Sequence, residues 1–418
     1  MMNRQMLRTV SLYTGVGGLD YGFEAAGFST AVAVELDASA CSTLRLNRKW
    51  CVLEGNIHNL TSRTILGCAE CEPGDVDVLV GGPPCQPFSK SGYWKLGDSR
   101  RLLDPRADTL QAYLRVLGDI RPRAFVLENV PGLGFTEKDE GLRYLFSGIE
   151  RINRRSQTRY SVSCFRVNAA HYGVPQLRER LFLIGFRDGR PFREPPITHA
   201  ASPLKGTGLL PYTTSWDAIG DLDVIAPCEE LLPTGKWRDL LPSIPEGQNY
   251  LWHTSRGGGK RLFGWRTRYW SFLLKLAKSK PSWTIQAQPG PATGPFHWRN
   301  RRLSLRELCR LQTLPDNLRF ECGIRDAQRL IGNAVPSLLA EVLAREIRAQ
   351  LLGRQPRRGR PTLAVSHRGT PPAPEPVRPV PARFLNSRES VSDHPGEGKG
   401  RGAVARQNSP HRSRMTST

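Results

Sequence analysis

From residue 7 to residue 186, short β-branched runs alternate with amphipathic stretches, and this alternation admits few folds. Parallel strands need long crossovers, and amphipathic crossovers cover the faces of the sheet they connect, so the pattern specifies an α/β domain on a mostly parallel sheet. Strands are predicted over residues 7–13, 31–35, 77–80, 124–127 and 180–186, and helices over 19–26 and 106–120. Residues 187–250 break the pattern with prolines and turn formers, which predicts a second, smaller and irregular unit of short strands and long loops. Helical spacing returns at 304–314 and 335–351. The expected organisation is therefore a first part of the sheet domain at 1–188, an irregular domain at 189–302, a return to the sheet domain at 303–353 and a tail at 354–418.

Charge narrows the class of partner. Lys and Arg total 60 against 38 Asp and Glu, a formal net charge of +22, which suits a polyanion such as nucleic acid. The tail is rich in Pro, Arg, Gly and Ser and is expected to be disordered. It holds thirteen basic and four acidic residues, so more than half of the excess belongs to the body. The sharpest signal is residues 251–302, with eleven Lys or Arg, Arg256, Lys260 and Arg261 among them, and no Asp or Glu. Seven of the nine Trp fall between Pro191 and Asn300; aromatics among basic residues suit base stacking and phosphate contacts, and suit a packed core equally well. No apolar run approaches the roughly 20 residues that span a bilayer, and the first residues lack a signal-peptide pattern, so a cytoplasmic protein is expected. Cys68 and Cys71 form a C-x-x-C pair without a second pair, and no metal site is expected.

The polar loops after the strands carry the chemistry. The first strand runs into Tyr13-Thr14-Gly15-Val16-Gly17-Gly18, a glycine turn that brings a helix N-terminus against a ligand. A dinucleotide fingerprint would need Gly where Asp20 stands, which argues against a nicotinamide oxidoreductase. Glu35 ends the next strand, where a carboxylate can accept from ribose hydroxyls, and Asn56 and Ile57 follow a third β-like stretch, where a side chain can meet an adenine and Asn56 can equally be an ordinary turn residue. The run from Asp77 to Ser89 delivers a thiol, Cys85, on a loop framed by Pro83, Pro84 and Pro87, a setting that a buried structural cysteine does not need. Glu128 ends another strand, as a candidate proton donor to a bound base.

In this order, these segments resemble the C5-type DNA cytosine methyltransferase family. The resemblance runs from Leu7 to about Leu351 and includes Pro84-Cys85-Gln86, Glu128-Asn129-Val130, the stretch from Tyr172 to Arg180, the stretch from Arg306 to Gln312, and Gly332-Asn333-Ala334-Val335-Pro336. It implies a Rossmann-like methyltransferase domain, S-adenosyl-L-methionine as cofactor and double-stranded DNA as substrate, with a target-recognition domain at 189–302. It further implies Cys85 as nucleophile, Glu128 as acid at the base, and Arg178 and Arg180 as contacts to the base oxygen or phosphate. Pro84 and Asn333 would line the cofactor site, with Asn333 and Gln176 bracing it, while Gln86, Ser89 and Gln176 would face the substrate. Lys90, Lys95, Arg100 and Arg101 follow Ser89 and would hold the distorted DNA backbone. The family usually has Asp where this chain has Asn56, whose amide oxygen still accepts a hydrogen bond. A monomer acting in restriction-modification or host protection, with or without a cognate endonuclease, is the implied setting. The alternatives are a tRNA cytosine methyltransferase of the same fold, whose Cys-Phe-Thr signature is absent, and an inactive nucleic-acid-binding relative.

Overall fold

The computed structural model describes residues 6–84, 108–134, 140–223, 229–264, 270–355 and 359–385. A seven-stranded sheet organises the chain: β1 (Leu7–Leu12), β2 (Phe28–Glu35), β3 (Cys51–Glu54), β4 (Val78–Gly81), β5 (Ala124–Asn129), β6 (Ser161–Asn168) and β7 (Glu179–Phe186), in the order β3-β2-β1-β4-β5-β7-β6. Strands β1 to β5 pair in parallel, and β7 inserts antiparallel between β5 and β6. The sheet is mostly parallel, and its reversed strand positions the site described below.

Both faces of the sheet are covered, and α2 (Ala38–Asn47) links β2 to β3. Val10, Leu12, Leu79 and Phe125 face one apolar layer, shared with Ile65 of α3 (Ser62–Cys68), Tyr113 of α4 (Asp108–Ile120) and Leu145 of α5 (Glu140–Ser156). The alternate positions Val78, Val80, Ala124 and Val126 face the other, with Phe23 of α1 (Gly18–Ala25) and Leu339 and Leu343 of α9 (Ser337–Leu351). Strands buried on both faces need unbroken apolar runs, which is why Val78-Leu79-Val80 reads as it does. Helices α1 and α9 approach closely at Gly22, where a β-carbon would lie 2.4 Å from that of Ala340. This contact draws the C-terminal part of the chain back onto its first helix.

Between β7 and α7 (Leu305–Leu311) the chain forms short pieces: α6 (Ser215–Ile219), several 3-10 turns and two-residue strands. This region has its own core, with Leu240, Ile244, Tyr250, Phe263 and Phe296 around Trp237. Trp298 is fully buried in a further cluster that joins the region to α7 and α8 (Ile324–Asn333). Core packing therefore accounts for several of the tryptophans.

Two expectations need correction. Residues 359–385, read as part of a disordered tail, are packed: Leu363 and Ala364 lie against the α9 layer and Phe384 is buried beside Trp237. Of the basic residues in 251–302, Lys275, Lys278 and Arg301 are buried and internally bonded, Arg301 through a two-pronged pair with Glu307 at 2.7 and 2.8 Å. Among the described residues, no helix is long and apolar enough to cross a membrane.

Candidate active site

The ends of β1, β2, β4 and β5 open into one cleft of about 850 Å3, at the edge where open α/β sheets take their ligands. Tyr13, Thr14, Gly15 and Gly18 line it from the loop between β1 and α1, with Glu35, Asn56 and Ile57 from the next two strand ends. Pro84, Glu128, Arg180 and Asn333 line its other side. The predicted Gly17 is not in the lining; it lies against Leu44 and Trp50, at the turn into α1.

The glycine loop is held by the carboxylate it was expected to work with. Gly15 N donates to Glu35 Oε2 at 2.6 Å, and Leu36 N and Asp37 N donate to Oε1 at 2.8 and 2.9 Å. A negative charge against this loop disfavours a pyrophosphate, which would need the same amide, and suits a ligand that presents hydroxyl donors. Asn56 Oδ1 accepts from His58 N at 3.0 Å, which orients the amide at the cleft. The charge distribution fits an adenosyl group without phosphates.

On the other side, the start of the cysteine loop is fixed from two elements. Asn129 Nδ2 donates to Pro83 O at 3.2 Å, and Thr109 Oγ1 donates to Pro84 O at 3.2 Å. The Tyr13 hydroxyl donates in turn to Thr109 O at 2.8 Å, linking the two sides of the cleft. Cys85, Gln86, Ser89, Lys90, Lys95, Arg100 and Arg101 lie outside the described residues.

Glu128 and Arg180 meet because β7 runs antiparallel. Its first residues lie beside the last residues of β5, with Glu128 opposite Phe182 and Asn129 opposite Leu181. Arg180 Nε then reaches Glu128 Oε1 at 2.7 Å, and both side chains are only 12–13% exposed. Gly82 keeps the loop close to this acid, since a β-carbon there would lie 3.0 Å from Glu128 Oε2. Burial pushes the Glu128 carboxyl above its ordinary range, against the pull of Arg180 and Arg178. A buried acid that resists ionisation is suited to donating a proton to a ring nitrogen.

Two predicted substrate contacts belong instead to the framework. Arg178 is 1% exposed, and its guanidinium donates to Gly332 O at 2.7 Å and Ala334 O at 2.9 Å, which fixes the Asn333 turn from behind. Gln176 is fully buried, bonded to Gln312 Oε1 at 2.9 Å and to Ile285 N at 3.2 Å. Gln176 and Arg178, on either side of Leu177, are both buried, while Arg180, on β7, lines the cleft. Arg256, Lys260 and Arg261 are exposed and are not in the cleft lining.

Thr109 and Arg329 are among the cleft residues that were not anticipated. Thr109 supports Pro84, and Arg329 enters from α8, paired with Asp37 at 2.5 Å. The apolar spacing of Ile324, Ala327, Leu330 and Ile331 marks α8 as an amphipathic helix and would have brought Arg329 to notice.

The family model described as C-5 cytosine-specific DNA methylase matches residues 7–349. Type II methyltransferase M.SacI of Streptomyces achromogenes is 37% identical over 377 residues, covering 84% of this chain and 94% of that protein. Type II methyltransferase M.NgoFVII of Neisseria gonorrhoeae is 33% identical over 346 residues, covering 81% and 86%. Among solved structures, the Entamoeba histolytica methyltransferase EhMeth has a similar fold, with a TM-score of 0.55 at 16% identity over 83% of this chain and 99% of that one.

Proposed function

Because the chain belongs to the C-5 cytosine-specific DNA methylase family, it is a DNA cytosine-5 methyltransferase, and we propose that it uses S-adenosyl-L-methionine to methylate a cytosine within one short double-stranded sequence. The observation that carries this reading is the Glu128–Arg180 pair, set across one cleft from the Glu35-anchored glycine loop. Glu35 and Asn56 would hold the ribose and adenine, with Tyr13, Thr14, Gly15 and Gly18 around the amino-acid end. Bound there, S-adenosyl-L-methionine supplies an electrophilic methyl group.

The chain's own residues act on the base. A stacked cytosine shields both ring faces, so the base must first leave the duplex, at a cost of a few kcal/mol. The Cys85 thiolate adds to carbon 6, and electron density moves into the ring. Glu128 meets that density with a proton at N3, while the Arg180 guanidinium, fixed by the same carboxylate, faces the neighbouring oxygen. Carbon 5 then has enamine character and takes the methyl group. A water molecule takes the carbon 5 proton, Cys85 leaves carbon 6 as the thiolate, and the N3 proton returns to Glu128, which restores the aromatic ring. The enzyme acts as a monomer in the cytoplasm, as a host-protective or restriction-modification methyltransferase, with residues 189–302 reading the DNA sequence.

Bisulfite sequencing of DNA from cells expressing the chain tests this reading. New 5-methylcytosine in one short context, absent with Cys85→Ser, is the expected result. Unchanged DNA with the intact chain would overturn it.

A further inference from the structure

The family match ends at residue 349, yet ten residues later the chain resumes a course of specific contacts that crosses from the sheet domain to the far core of the 189–302 region. It is anchored first on α9. Buried Glu341 accepts from Thr362 N at 2.6 Å and Leu363 N at 2.8 Å, and Arg345 donates to Gly359 O at 3.2 Å. Midway, Asp217 of α6 receives it: His367 Nδ1 and Arg368 N both lie at Oδ1, at 2.8 and 2.9 Å, and Arg368 also pairs with Asp221 at 2.9 Å.

The distal end locks into the irregular region. Lys278, 2% exposed, is held between Glu246 at 2.8 Å and Glu375 at 3.1 Å, and it donates to Ala373 O at 3.0 Å. Arg378 N donates to Pro242 O at 3.0 Å. The Phe384 ring stacks on Trp237 with centroids 5.7 Å apart and planes 16° from parallel. Six prolines between residues 371 and 381 restrict this span to extended backbone, so little chain entropy is lost when it docks. An extended, proline-stiffened segment fixed at both ends and at its middle transmits position between the two regions it joins.

We propose that residues 359–385 form a positioning strap that holds the 189–302 region in register with the sheet domain, and that sequence discrimination on DNA depends on it. The inference rests on the DNA-methylating function proposed above, and the strap itself lies beyond the residues that match the family. Glu375 and Phe384 are its positioning residues, acting through Lys278 and Trp237.

The test uses the full-length chain carrying Glu375→Ala with Phe384→Ala, and a conservative control carrying Glu375→Gln with Phe384→Tyr. Hydrogen exchange should accelerate over residues 237–253 in the alanine variant while the amides of β1 to β5 stay protected. KM for DNA should rise about fivefold with kcat within about twofold, discrimination against a one-base-altered site should fall, and the conservative control should recover most of both. Unchanged exchange over 237–253 would overturn the proposal. So would loosening that spreads through the sheet with kcat falling in step, because the segment would then be a general stabiliser. The exchange comparison needs no DNA, so a failure of the intact chain to methylate DNA would count against the proposed function and leave the strap to be decided by exchange.

Discussion

Glu128 is under two opposing influences, and the balance between them sets how the reaction depends on pH. Burial favours its neutral form and the Arg180 guanidinium favours the carboxylate, with burial the larger. Because its pKa is raised, the proton it donates is held to higher pH than in an ordinary carboxyl and is lost as pH rises through that pKa. The Cys85 thiolate has the opposite dependence, so kcat/KM should follow a bell-shaped profile. Glu128→Gln keeps a hydrogen-bond donor that cannot ionise: it should lower the maximum and abolish the alkaline decline, whereas Glu128→Ala should cost about 100-fold or more. An alkaline limb that survives in Glu128→Gln would assign that limb to another group. Single residues also show where sequence reasoning stops. Glu35, Asn56 and Glu128 were legible because each lies at or just beyond the end of a strand, and strand ends converge on one cleft in a parallel sheet. Arg178 was misplaced because its motif gives its neighbourhood, while the inward face of Gln176-Leu177-Arg178 gives its direction, and only burial reveals that face.

At the scale of elements, β1, β2, β4, β5 and the antiparallel β7 were legible from their apolar runs, although β2 extends to Phe28 at its start, and the four-residue β3 was read only as a β-like stretch. β6 was not, since on an edge strand only Phe165 and Val167 are buried and the remaining side chains carry little pattern. The consequence was larger than one strand, because β6 and β7 together make the antiparallel turn that delivers Arg180 to Glu128. The junction between α1 and α9 gives a sharp test of packing. Gly22→Ala places a methyl group 2.4 Å from the Ala340 β-carbon and 2.5 Å from Ser337 O, so the helices must separate. Thermal unfolding should show a loss of about 1–3 kcal/mol. A variant as stable as the parent would mean that α9 shifts freely, and that the cleft wall at Asn333, just before α9, is not fixed by this contact.

Over the whole molecule, composition pointed to nucleic acid correctly in kind but overstated the number of free cations. Lys275, Lys278 and Arg301 satisfy buried carbonyls and carboxylates, whereas Arg256, Lys260 and Arg261 lie exposed at the surface. The tail misled for a related reason: proline-rich composition describes both a disordered chain and an extended strap, and long-range contacts with Asp217, Lys278 and Trp237 decide between them. Replacing residues 251–302 with the equivalent stretch of a relative should change the methylated sequence context while methylation continues, as read by bisulfite sequencing. A context that stays the same would place recognition elsewhere. The strap sets a condition on any such graft. Trp237, Glu246 and Lys278 take their partners from residues 373–384, more than ninety positions beyond them along the chain, so the packed unit they belong to is discontinuous in sequence. A chimera that moves its body without that distant ribbon would join two halves that evolved for different counterparts, and recombination between such genes would succeed most often when both stretches travel together.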